Sequence, residues 1–98
     1  MTTEIHVVAL VEGKPGSAEA IVNVVAPCIT ATRREQDCLS YTFHQDKARP
    51  DRFMFIEIWA NEDALKQHAQ SAHLKTLVDG LAPLTAHPLE VSVLQTRF

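Results

Sequence analysis

Glu57, Trp59, His68 and His73 are the side chains whose types and spacing offer chemistry in this sequence. Glu57 stands in the run FMFIEIWA between Ile56 and Ile58. A carboxyl facing a core from such a position is desolvated, and its proton affinity rises unless a cation or a hydrogen-bond donor pairs with it. His68 is the nearest plausible partner. The two would form a proton-transfer couple beside an apolar wall that includes Trp59. The same pair also reads as a structural hydrogen bond that satisfies two buried polar groups, and a lone Trp59 is a common core residue.

Other chemistries fit less well. His68 and His73 are five residues apart, which on a continuous helix sets them well over a right angle away from each other. Two ligands on one helical face need a spacing of four, as in HExxH, which is absent. A zinc site would require a break at Ser71 and the help of Glu57, so the chain is expected to be metal-poor. Cys28 and Cys38 have no histidine partner in sequence and no CxxC arrangement, and are read as free thiols. No serine lies in a GxSxG turn, and GKPG is too short for a phosphate loop. The fingerprint of a dinucleotide-binding domain is missing.

The elements that must position these residues follow from periodicity. EIHVVALVE, Glu4 to Glu12, reads as a strand ended by Gly13, Pro15 and Gly16. Ser17 is expected to cap a helix whose stripe is Ala18, Ile21, Val22, Val25, Cys28, Ile29 and Thr32. Pro27 cannot donate to the Asn23 carbonyl, so a kink or an early stop near Asn23 is expected. LSYTFHQD and the Phe53 strand form a hairpin around the polar turn KARPDR. In the Phe53 strand, Phe53, Phe55, Glu57 and Trp59 leave one face while Met54, Ile56, Ile58 and Ala60 leave the other. Both faces are largely apolar, so helices should cover one and a second subunit the other. Asn61 is an N-cap for a helix with Ala64, Leu65, His68, Ala69 and Ala72 on one face. LKTLVDGLAPL continues as a second helical piece ended by Gly80 and Pro83, and LEVSVLQTRF is the last strand. His6 receives no role. The order βαββαβ is the split βαβ pattern of an α+β, ferredoxin-like domain, a four-stranded antiparallel sheet with helices on one face.

Ninety-eight residues make one domain, 1–98, whose core is thin enough that association would help. The net charge of −3 is spread without a basic stripe, which excludes nucleic acid and an anionic membrane as expected partners. The N-terminal stretch lacks the pattern of a leader and no run is long enough to span a bilayer, so the cytoplasm is the expected compartment.

Taken together, the motifs carry a resemblance. Cys38 to Tyr41 reads CLSY, Phe53 to Trp59 reads F-x-x-x-E-x-W, Glu62 to His68 reads EDAL-x-x-H, Ser71 to His73 reads S-x-H, and Lys14 to Gly16 reads KPG. In this order and spacing they resemble the antibiotic biosynthesis monooxygenase (ABM) domain family over nearly the whole chain. One departure is visible: Gln36 and Asp37 stand where the family usually carries Pro-Gly before this cysteine.

The resemblance implies a ferredoxin-like protomer that dimerises through its sheet into an α+β barrel, with a pocket between sheet and helices. It implies a cofactor-independent monooxygenase that oxidises a quinol or a related electron-rich phenol with molecular oxygen, using no prosthetic group and no metal. Other members isomerise small phosphorylated sugars, so an isomerase of a small carbonyl compound or sugar phosphate using the same acid/base pair is a second possibility, and a non-catalytic ligand-binding dimer is a third. Haem-degrading relatives place an asparagine on the first strand, which this chain lacks. The expected catalytic residues are His68 as base, Glu57 as its orienter or a partner of a substrate hydroxyl, and Trp59 as a stacking wall. Tyr41, Phe55 and His73 are the expected substrate contacts.

Overall fold

The computed structural model describes residues 3–98; the first two residues of the stretch expected to lack a leader lie outside it. The elements are β1 (Ile5–Glu12), α1 (Ala18–Arg33), β2 (Cys38–Gln45), β3 (Arg52–Trp59), α2 (Glu62–Ala69), α3 (Ala72–Leu81), a 3₁₀ turn (Ala82–Leu84) and β4 (Glu90–Leu94). The four strands form one antiparallel sheet in the order β2-β3-β1-β4. This is the ferredoxin-like α+β arrangement expected from the sequence. Among the described residues, no helix is long and apolar enough to cross a membrane.

Register places Val7 and Tyr41 on either side of Glu57, and Ala9 and Phe43 on either side of Phe55. Side chains alternate along each strand, so this row faces the helices as one surface. Val7, Ala9, Val11, Tyr41, Phe53, Phe55 and Trp59 are buried there against Ile21, Val25 and Cys28 of α1 and Leu77 and Leu81 of α3. On the opposite face Ile56 remains 42% exposed, and Met54 and Ile58 are half-buried. The β4 strand pairs with β1 over five residues, and all of it is exposed, Val91 and Val93 included. It is shorter than the run Leu89 to Phe98 that its composition suggested.

Three helix boundaries differ from expectation. The α1 helix does not stop near Asn23 but continues through Pro27 to Arg33. Asn23 and Pro27 are both exposed, so water can reach the carbonyl that Pro27 leaves unbonded. Ser17 makes no capping bond. Its place is taken by Asp51 of the hairpin loop, whose carboxylate accepts from the N–H groups of Gly16 and Ala18, each at 3.1 Å. Gly80 does not end α3; it lies inside the helix, where a Cβ would stand 2.8 Å from Cγ1 of Val24. That contact lets α3 approach α1 closely, and it fixes the wall that α3 presents to the sheet.

Candidate active site

His68 and His73 are brought together by a break in the helix at the end of α2. Asn61 caps α2 as expected, its Oδ1 accepting from the N–H of Ala64 at 2.9 Å. Ser71 ends that helix and starts the next. Its hydroxyl donates to the His68 carbonyl at 2.7 Å and accepts from the N–H of Leu74 at 3.3 Å. With the break at Ser71 the five-residue spacing no longer follows one continuous helix, and the two imidazole centroids lie 6.0 Å apart.

Between them stands Glu35, which the sequence reading missed. Its Oε2 accepts from His68 Nδ1 at 2.7 Å and from His73 Nε2 at 2.7 Å. Glu35 follows Arg34, the C-cap of α1. A carboxylate there opposes the helix dipole, which was the available sign that it serves something other than its own helix. The following turn aims it. Arg33 donates Nε to the Tyr41 carbonyl at 3.1 Å, the Cys38 N–H reaches the Glu35 carbonyl at 3.3 Å, and the Ala60 N–H reaches the Asp37 carbonyl at 3.0 Å. Asp37 takes φ of 65°, the left-handed conformation that favours glycine. The departure from Pro-Gly therefore leaves a glycine-type turn in place and loads it onto an aspartate.

The expected Glu57–His68 hydrogen bond is not formed. Glu57 instead accepts from the indole N–H of Trp59, Nε1 to Oε1 at 2.9 Å, and both residues are buried. The carboxylate that orients His68 is Glu35. Burial is the largest influence on Glu57 and pushes its carboxyl above the usual range. Its buried neighbours follow the same rule: desolvation raises the phenol of Tyr41 and the thiol of Cys28. Both cysteines are free.

Trp59, expected as a stacking wall, stands behind the cavity lining. It is completely buried and does not line the cavity; its ring packs on the imidazole of His68 with centroids 4.6 Å apart. Tyr41 meets the same imidazole edge-on at 5.4 Å. His68 is thus held by two aromatic rings and one carboxylate.

The cavity itself lies between the sheet and α2/α3 and has a volume of about 650 Å³. Glu57, His68, Tyr41 and Phe55 line it, together with Leu65, Leu74, Leu77, Val78, Leu81 and Leu89. His73 does not line it. The size falls within the roughly 300–1,000 Å³ usual for small-molecule sites, and apolar walls with a few polar groups are their usual chemistry. Glu57 and His68 are the titratable groups that α2 and β3 bring to this wall.

The chain is similar to known proteins over most of its length. Residues 4–80 match the sequence model of the family described as "Antibiotic biosynthesis monooxygenase". The uncharacterized protein sll1783 of Synechocystis sp. is 31% identical over 80 residues, 82% of this chain; the match spans 54% of that protein's length. A conserved protein of known structure from Methanosarcina mazei superposes with a TM-score of 0.92 at 26% identity, covering 98% of this chain and 95% of the other. PA3566 from Pseudomonas aeruginosa superposes with a TM-score of 0.89 at 28% identity, covering 100% and 98%. The chain belongs to the antibiotic biosynthesis monooxygenase family.

Proposed function

We propose that this protein is a cofactor-independent monooxygenase that oxidises a quinol or a related electron-rich phenol with molecular oxygen. The observation that carries the reading is the Glu35–His68 pair at the wall of an apolar cavity. With Glu35 accepting the Nδ1 proton, His68 is held as the tautomer whose Nε2 carries a lone pair. Among the described residues Nε2 has no hydrogen-bond partner, so it is free to accept a proton from a substrate hydroxyl.

Removal of that proton turns a phenol into a phenolate, a strong enough reductant to give an electron to oxygen directly. The resulting pair combines at a ring carbon that bears hydrogen, para to the oxygen in a simple phenol and ortho to it in a quinol. Loss of water from the hydroperoxide leaves a quinone, so that phenol plus O₂ gives quinone plus H₂O. One oxygen atom enters the ring and the other leaves as water with the hydroxyl and ring hydrogens. The protein supplies a base, a partner for the developing oxyanion and a dry cavity. Glu57 suits the second role, because a carboxyl whose proton affinity is raised can donate a hydrogen bond to an oxyanion. The test is oxygen uptake with a panel of hydroquinones and naphthols, with wild type and His68→Ala side by side. Enzyme-dependent uptake that the variant loses supports the reading. Uptake no faster than autoxidation with every compound, or equal rates for both proteins, overturns it.

A further inference from the structure

We propose that Glu35, His68 and His73 form a binding site for a divalent first-row transition ion such as zinc. The sequence argued against metal because His68 and His73 are wrongly spaced for one helix and Glu57 was the third candidate ligand. The geometry removes both objections. The break at Ser71 brings the histidines together, and the carboxylate arrives from the end of α1 rather than from β3. One ligand atom from each of the three residues lies within 4.8 Å of the others.

Two imidazoles and a carboxylate are a ligand set suited to zinc, cobalt, nickel or copper, and three protein ligands leave a fourth position open. Metal–ligand bonds of about 2.0–2.1 Å at a tetrahedral centre separate the ligand atoms by about 3.3 Å. The two 2.7 Å hydrogen bonds must therefore open by roughly 0.6 Å to admit the ion. Glu35 and His73 can supply that movement, since their side chains are 16% and 26% exposed, whereas His68 is fixed between Tyr41 and Trp59.

Binding has a consequence for the base. In the hydrogen-bonded arrangement the His68 proton sits on Nδ1. An ion on Nδ1 needs the lone pair there, which moves the ring proton to Nε2. His68 cannot then accept a proton from the cavity, so an ion at Glu35–His68–His73 and a basic Nε2 exclude each other.

The test is equilibrium dialysis of the chelator-treated full chain against zinc, together with the visible absorption of the cobalt form. Neither needs turnover, so both stand apart from the oxygenase assay. We expect one zinc per chain and ligand-field bands of a low-coordinate cobalt ion. Glu35→Gln, His68→Ala and His73→Ala should each weaken zinc binding at least tenfold, while His6→Ala, on the far face of the sheet, leaves it unchanged. Glu35→Gln is close to isosteric and His73→Ala is partly exposed, so those two variants should fold even where His68→Ala does not, and circular dichroism checks this. Absence of zinc binding by the wild type, undiminished binding by folded Glu35→Gln and His73→Ala, or a loss on His6→Ala would each overturn the site.

Discussion

Oε2 of Glu35 lies 2.7 Å from Nδ1 of His68, although the two residues are 33 positions apart, one in the turn after α1 and the other in the last turn of α2. The contact closes the α1–β2 turn onto the end of α2. It makes Glu35 a positioning residue for His68, since Glu35 itself does not line the cavity.

Glu35→Gln is therefore expected to lower kcat by about 10- to 100-fold, the usual effect of losing a partner that orients a functional histidine. The amide keeps the shape but no longer selects the Nδ1–H tautomer. A merely structural role would leave the pH profile of kcat unchanged, so steady-state rates across pH 5 to 9 distinguish the two.

His68→Ala should cost about 10²- to 10⁴-fold in turnover, the span of a positioned general base. His73→Ala should cost less. His73 shares the Glu35 oxygen but stands outside the cavity, so its loss loosens Glu35 without removing the base. Oxygen-uptake rates of the two variants in one substrate series check the order, and a rate lost with His73→Ala but kept with His68→Ala would reverse the assignment.

The legibility of the sequence followed the range of the interactions. Alternation in β1 and β3 and the Asn61 cap are local patterns, and they located the strands, the hairpin and the inward face that carries Glu57 and His68. Glu35 escaped because its role depends on a long-range approach that no window along the chain contains. Trp59 was placed in the right cluster but lies behind the cavity lining, since alternation tells which face a side chain leaves but not whether a neighbour already covers its ring. The Ser71 break was foreseen only as a condition. Ser71 and His73 are compatible with one helix or two, and the hydroxyl bonds at Ser71 decide between them.

Asp37 offers a test of the turn that aims Glu35. A non-glycine residue in the left-handed region costs about 1–2 kcal/mol, less for aspartate than for most. Asp37→Gly relieves that strain but adds chain entropy to the unfolded state. The expected net is a stabilisation of roughly 0.5–1 kcal/mol, read from the urea midpoint at constant slope. Destabilisation would mean that the Asp37 carboxylate contributes something the turn geometry does not show.

The open face of the sheet carries Val8, Leu10, Met54, Ile56 and Leu94 in neighbouring register positions, with Ile56 and Leu94 exposed. Burying such a patch is favoured at about 25 cal/mol per Å² of apolar surface. A homodimer joined through this face is expected, with light scattering giving twice the chain mass at micromolar concentration. Ile56→Lys should shift the mass towards one chain. A monomeric wild type would leave the patch without this explanation.

Glu57 yields a pH dependence whose sign is fixed by burial. Desolvation lifts its carboxyl above the ordinary 4.5, and the indole N–H of Trp59 and the nearby His68 oppose the rise without cancelling it. The folded chain then holds this proton to higher pH than the unfolded chain does. Between 4.5 and the raised value, folding binds the proton more tightly, so stability falls as pH climbs through that window. Glu57→Gln has no proton to lose, and its amide oxygen can still accept from Trp59. The variant should match wild type near pH 4 and exceed it at pH 7 in urea unfolding. A wild type that gains on the variant as pH rises would mean that a donor near Glu57 favours the charged form over the neutral one.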